Sequence, residues 1–215
     1  GVRLRHVAQP LAKDLGEGGF GGGRRRLQTL GRVKLAGSVI SHGIGLGAAL
    51  IAQSFGAEVT ITDILDFRLA MASTLGIAHT INAREGKMRD HALERTGGRG
   101  FDKVVECVGG LQERTVTDAV DMVKRGGQIT IVGTFPENRA TIPIAYIKDR
   151  EIDLIFSRGN FKAFAPCIEL IAQGKIDPER YISHRFPLTQ AEDALQLLEA
   201  RNVEAHKIVL HPQTD

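Results

Sequence analysis

A chain of 215 residues, 42% hydrophobic and 25% charged, has a globular composition and is long enough for one large domain plus part of a second. Its net charge of +3 hides an asymmetry: residues 1–35 carry eight Lys/Arg against two Asp/Glu, and residues 36–215 carry twenty against twenty-three. The body is therefore mildly acidic, and nucleic-acid binding by it finds no support.

The two cysteines, Cys107 and Cys167, sit in apolar contexts without paired or metal-like spacing, which reads as buried thiols in a reducing compartment. No apolar run approaches the ~20 residues of a transmembrane helix, and no signal-peptide pattern opens the chain. The expectation is a soluble, cytoplasmic protein without membrane partners.

Residues 1–35 differ from everything after them. Six glycines fall between Gly16 and Gly23, followed at once by Arg24, Arg25 and Arg26, and no helical or strand period persists. This segment is expected to be a poorly ordered leader. From Val33 onward strands and helices alternate. A first strand is predicted over residues 35–40, a helix over 45–55, a strand over 59–62, a helix over 64–75 and a short strand over 79–81. A helix over 87–96 ends at Gly97-Gly98, and a strand at 103–106 follows. A helix over 112–123 stops at Gly126-Gly127, with strands at 128–132 and 151–156 beyond. Short, β-branched strands alternating with helices predict an α/β fold: a doubly wound, six-stranded parallel sheet over residues 36–160. Residues 161–215 add helices over 164–173 and 190–200 and extended pieces at 181–186 and 207–210. They read as an appendix returning to another domain.

Residues 43–63 carry the chemistry: G-I-G-L-G-A-A-L-I-A-Q-S-F-G-A-E-V-T-I-T-D. A glycine-rich turn opens a helix, and the next strand closes on Asp63, as in a dinucleotide-binding βαβ unit. Turn glycines admit a pyrophosphate to the helix N-terminus, and the acid takes ribose hydroxyls. A helix N-cap is the plainer role for an acid after a strand.

Five phrases in this order and spacing resemble the medium-chain, zinc-type alcohol dehydrogenases, sorbitol and threonine dehydrogenases above all. They are I-G-L-G-A-A-L-I-A, T-D-I-L-D-F-R-L, T-G-G-R-G-F-D-K-V-V-E-C-V-G-G, K-R-G-G-Q-I-T-I-V-G, and I-S-H-R-F-P-L with A-H-K-I-V-L. The resemblance covers the cofactor-binding and C-terminal portion of that family. It implies that Asp63 holds the adenosine ribose with Arg68 beside it, which favours NAD over its phosphorylated form. It assigns His42, Gly43, Ile44 and Gly45 to the phosphate turn. Cys107, Val108 and Gly109 fall in one cleft-lining loop, and Val132, Gly133 and Thr134 in the loop meeting the nicotinamide. Phe156 and Arg158 approach the nicotinamide or substrate, and Lys207 the pyrophosphate. His184 reads as packing rather than as a metal ligand. The implied reaction is hydride transfer between a secondary alcohol or polyol and NAD, with zinc acidifying the alcohol, and relatives associate through the edge at residues 151–156.

Two departures qualify these expectations. In the family the last fingerprint glycine precedes the ribose acid by eighteen residues, as Gly45 precedes Asp63. That register puts Ile40 and His42 where the first two glycines belong, and a side chain at the second obstructs the pyrophosphate. A rival register reads Gly43, Gly45 and Ala48 as the fingerprint and starts the helix later. The family also places its zinc ligands in an N-terminal domain of roughly 150 residues. Here 42 residues precede Gly43, with no cysteine and only His6 besides His42, so a zinc site cannot be built from them. The expectation is a truncated or rearranged leader joined to a genuine domain, with the isolated chain inactive. Other readings are an inert or binding-only fragment, a zinc-free quinone reductase, against which Asp63 argues, and a methyltransferase, against which the downstream phrases argue.

Overall fold

The computed structural model describes residues 35–39, 42–137, 139–159, 163–200 and 204–212, with the backbone alone up to residue 43. The expected leader and Ile40 lie outside the described residues. The first half of the chain runs β1 (Leu35–Val39), α1 (His42–Ser54), β2 (Thr60–Asp63), α2 (Asp66–Thr74), β3 (His79–Asn82) and α3 (Met88–Thr96). It continues through β4 (Phe101–Glu106), α4 (Gln112–Met122), β5 (Val123–Ile131), α5 (Ile144–Asp149) and β6 (Asp153–Phe156). These six strands form one parallel sheet in the order β3-β2-β1-β4-β5-β6. The order reverses between β1 and β4, the crevice where ligands of open α/β sheets bind.

The sequence dictates these elements locally. All four residues of β2 are buried, and its Thr-Ile-Thr run suits a strand covered on both faces. Ala49 and Ala52 on α1 are buried beside Leu46, small side chains that let the helix lie close against the sheet. Gly56 and Gly76 adopt φ of 83° and 88° just after α1 and α2. There the amides of Ala57 and Ile77 reach back to the carbonyls of Ala52 and Ala72, at 3.1 and 3.0 Å. A left-handed residue in each turn makes that closure possible.

Two separate cores result. One gathers Leu46, Ala49, Ala52, Ile61, Leu69, Ala72 and Ile77 from α1, α2 and their strands. The other gathers Met88, Ala92, Val104, Val116, Val120, Met122, Ile129 and Ile131 from α3, α4, β4 and β5. Each fully buried Ile or Val in them contributes about 1.5–3 kcal/mol relative to exposure.

The structure departs from the sequence expectations in four places. Helix α1 begins at His42, three residues before the predicted start. The rival register's first glycine, Gly43, thus lies inside the helix. Helix α4 ends at Met122 and β5 begins at once, so Gly126-Gly127 form a bulge inside the strand rather than a helix stop. Arg150 accounts for the abrupt end: its guanidinium donates to the carbonyls of Val120 and Val123 at 2.8 and 2.6 Å. The six-residue α5 was not expected, and it packs through Ile147.

The fourth difference is in the C-terminal segment, which comprises α6 (Phe164–Ala172), β7 (His184–Pro187), α7 (Ala191–Glu199) and β8 (Ile208–His211). Its extended pieces pair with each other as a parallel two-stranded sheet. Ser183 locks the start of that pair: its hydroxyl accepts the amides of His206 and Lys207 at 3.1 Å and donates to the Lys207 carbonyl at 2.9 Å. Tyr181 packs against the α1–α2 core, and Arg180 donates to the Thr74 carbonyl at the end of α2. On α6, Phe164 and Ile168 are exposed and Leu170 is buried. No helix among the described residues is long and apolar enough to cross a membrane.

Candidate dinucleotide site at the carboxyl edge of the sheet

The strand register aligns one row across the sheet: Thr62 pairs with Val39, Val39 with Glu106, Glu106 with Ile131, and Ile131 with Phe156. The residues immediately after this row carry most of the predicted site. Asp63 follows on β2, Cys107–Gly109 follow β4, Val132–Thr134 follow β5, and Arg158 stands two residues beyond β6. The 13-residue α1 starts at His42, just after β1, so its N-terminal amides open on the same edge at the switch point. Gly45 is buried, and Ile44 is exposed. Of His42 and Gly43 only the backbone is described.

Asp63 is fully buried at its carboxylate. Oδ1 accepts the Leu65 amide at 2.9 Å, an Asx turn that shapes the β2–α2 connection. Oδ2 stands 3.5 Å from Nη1 of Arg68. Burial pushes the carboxyl above its ordinary value of 3.8, opposed by the Leu65 amide and the Arg68 guanidinium. The α2 N-cap is Leu65, with no side-chain cap, so Asp63 shapes the turn without being the helix cap. The loop amides of Leu65 and Ile64 and one loosely placed cation thus surround an acceptor at the carboxyl edge.

A buried polar knot that the sequence did not flag joins the loops after β4 and β5. Glu106, with no exposed surface, accepts the Val108 amide at 2.8 Å and the Thr115 hydroxyl at 2.9 Å on Oε1. Its Oε2 is buried without a hydrogen-bond partner. Gln112, 2% exposed, donates through Nε2 to the carbonyls of Val108 and Thr134, the latter at 2.9 Å. The Gly110 amide reaches the same Thr134 carbonyl at 3.1 Å, and the Val132 and Gly133 amides return to the Glu106 carbonyl at 2.8 and 3.2 Å. Gly133 fits here because it lacks a side chain: a Cβ would stand 2.0 Å from the Val108 oxygen and 2.7 Å from Oε2 of Glu106. Burial raises the Glu106 carboxyl above 4.5, with Thr115 and the Val108 and Gly133 amides opposing. The signal available in the sequence was the acid closing an apolar strand, K-V-V-E, the same signature that marked Asp63.

Other predicted residues are placed less centrally. The Cys107 thiol is buried. Burial first, and then that thiol, push Tyr181 up to about 12. Phe156 is exposed, with its ring tilted against Phe135 at 6.2 Å between centroids. Arg158 and Lys207 are exposed, and Lys207 is tied to Ser183 only through its backbone. His206, beside Lys207, is buried with Nε2 lacking a hydrogen-bond partner. Its imidazole is held below the ordinary 6.5 by burial, His184 and Arg68, against Glu204. His184 stacks on Phe186 at 6.4 Å, the packing role expected of it. A cavity of about 230 Å³ lined by Leu50, Leu75, Lys175 and Arg180 lies at the C-terminal ends of α1 and α2, away from the carboxyl edge.

Among the described residues, no three His, Cys, Asp or Glu side chains come together as a metal site requires. The residues described do not fit a catalytic zinc. The groups at the carboxyl edge do fit a dinucleotide: a helix N-terminus after β1 and an acid at the end of β2.

Comparison with known proteins shows what the chain is similar to. The family profile described as zinc-binding dehydrogenase matches residues 43–173. The chain is 32% identical over 173 residues to a sorbitol dehydrogenase of Bacillus subtilis (strain 168), covering 79% of this chain and 48% of that protein. It is 33% identical over 174 residues to an L-threonine 3-dehydrogenase of Chelativorans sp. (strain BNC1), covering 78% and 48%. Among solved structures, the alcohol dehydrogenase TADH from Thermus sp. ATN1 superimposes with a TM-score of 0.75 at 29% identity, over 83% of this chain and 51% of that one. The chain thus spans about half the length of the curated relatives it matches.

Proposed function

The chain belongs to the zinc-binding dehydrogenase family, and on that premise we propose that it is the NAD(H)-binding part of an alcohol or polyol dehydrogenase. Residues 36–160 form the cofactor-binding unit, and residues 161–215 extend it towards the remainder of the enzyme. The observation that carries this reading is Asp63: a buried acid at the carboxyl end of β2, next to the β1/β4 reversal, where a dinucleotide presents its adenosine ribose.

In this reading Oδ2 of Asp63 accepts a ribose hydroxyl once Arg68 moves aside, and Arg68 then flanks the ribose. The first amides of α1 face the pyrophosphate, with Lys207 able to extend towards it. The Val108–Gly109 and Val132–Thr134 segments line the half of the crevice beyond the reversal, where the nicotinamide lies. The cofactor's chemistry, when bound, is the acceptance and return of a hydride. The protein's part is to hold it in register along the sheet edge and to disfavour a 2′-phosphate through Asp63.

The test is a titration of the purified chain with NADH and NADPH, followed by calorimetry or fluorescence transfer. Saturable NADH binding in the micromolar range, weaker NADPH binding, and loss of NADH binding in Asp63→Ala support the reading. No saturable NADH binding, or a preference for NADPH, overturns it.

A further inference from the structure

The fold keeps a carboxyl group at the end of β4 where an apolar residue would be less costly. Glu106 has no exposed surface, and no cation is among the groups that act on its carboxyl. Burying an ionisable group without an opposite charge is expensive, so the position demands a compensating role. Its contacts indicate one. Oε1 holds the Val108 amide and the Thr115 hydroxyl, which fixes the β4 loop against α4. Oε2 faces Gly133, close enough that a Cβ there would stand 2.7 Å away, which fixes how near the β5 loop approaches. The main-chain carbonyl of the same residue accepts the amides of Val132 and Gly133. One residue therefore touches both loops on the far side of the switch point. Asp63, on the near side, is tied within its own turn through Leu65 and Arg68.

We propose that Glu106 is a positioning residue of the cofactor cleft, which sets the spacing between the Val108–Gly109 and Gly133–Thr134 segments and so shapes the nicotinamide half of the site while leaving the adenosine half alone. This rests on the NAD reading above. It adds a residue that touches no cofactor atom and acts through two loops. The carboxyl suits the task because one oxygen accepts two donors at once while the second presents a small, rigid wall to the Gly133 backbone.

The test compares wild type with Glu106→Leu, Glu106→Gln and Thr115→Val in two measurements. The first is amide hydrogen exchange without cofactor. Glu106→Leu should speed exchange at Val108 about tenfold, the worth of one hydrogen bond to a charged or acidic acceptor, with Leu65 unchanged. Glu106→Gln, which keeps an acceptor oxygen, should stay near wild type. Thr115→Val serves the same purpose should Glu106→Leu fail to fold, and its effect should be smaller but on the same amide. The second measurement pairs NADH with AMP, which occupies the adenosine half alone. NADH affinity should fall about tenfold in Glu106→Leu while AMP affinity stays within twofold. Unchanged Val108 exchange, or equal losses for NADH and AMP, overturns the proposal. A wild type that binds AMP but not NADH overturns the NAD reading instead, and the cofactor-free exchange at Val108 still decides the anchoring role of Glu106.

Discussion

Gly133 and Val108 approach so closely that a Cβ on the former would stand 2.0 Å from the carbonyl oxygen of the latter. No rotamer change relieves such an overlap, because both partners are backbone. The two loops at the carboxyl edge are therefore packed backbone to backbone, and Gly133→Ala must push them apart. We expect a loss of about 1–3 kcal/mol in unfolding free energy, the usual cost of overpacking, together with weaker NADH binding. Urea denaturation and an NADH titration check both, and a variant equal to wild type in each would refute the close packing.

Asp63→Ala removes the acceptor at the end of β2. NADH affinity should fall about tenfold or more, and discrimination against NADPH should narrow because the repulsion of a 2′-phosphate is gone. Asp63→Asn keeps an oxygen for the Leu65 amide, so any destabilisation seen in the alanine variant should be smaller there. An unchanged NADH-to-NADPH ratio in both variants would count against ribose recognition by this residue.

The early start of α1 puts His42 at the first helical position, where the spacing from Gly45 to Asp63 places the second fingerprint glycine. In that register a side chain at the second position is expected to obstruct the pyrophosphate. His42→Gly should therefore tighten NADH binding, measured by the same titration. Equal or weaker binding would sink this register.

Glu106 titrates higher in the fold than in the unfolded chain, where its ordinary value is 4.5. Between the two values the native state holds the extra proton, so the free energy of unfolding falls as pH rises through that window and levels off above it. Glu106→Gln removes this contribution. The urea midpoint of wild type should decline from pH 4.5 upward more steeply than that of the variant. Asp63 shifts in the same direction and remains in both proteins. Parallel pH profiles would show that the Glu106 carboxyl is not raised.

Gly47 lies inside α1, and a Cβ there would meet only the Tyr181 hydroxyl, at an ordinary contact distance of 3.8 Å. With room for a methyl group and helical geometry already in place, Gly47→Ala should stabilise the protein by about 0.5–1 kcal/mol. A melting curve tests this, and a lower melting temperature would mean that Tyr181 packs too closely on α1 to admit the methyl group.

The sheet was legible because its signals were local. An apolar β-branched run such as T-I-T-D, an apolar-faced helix and a closing glycine each depend on a few neighbouring residues, although the inner face of α1 is built from Leu46, Ala49 and Ala52. The beginning of β5 was not, since V-K-R-G-G reads as a turn, whereas in the fold Arg150, distant in sequence, caps the end of α4 from outside. The place of Asp63 at the end of β2 was legible because the strand before it was. Glu106 carried the signal of an acid closing an apolar strand, but Gln112 and Thr115 carried none, because isolated polar residues disclose a role only when packing shows them buried and facing one another. The C-terminal strands were found, but their pairing with each other depended on Ser183 meeting residues 206 and 207, a contact without a sequence period.

The alignment of Thr62, Val39, Glu106, Ile131 and Phe156 in a single row has a consequence for how this protein tolerates change in length. One extra residue inside β4 would carry Cys107–Gly109 about 3.3 Å along the strand and turn the side chains after it to the opposite face. The same residue added beyond Pro136, where the chain has left the edge and is exposed, would leave the row intact. Insertions and deletions among functional variants of this sequence should therefore collect between the strands, while the strand lengths stay fixed.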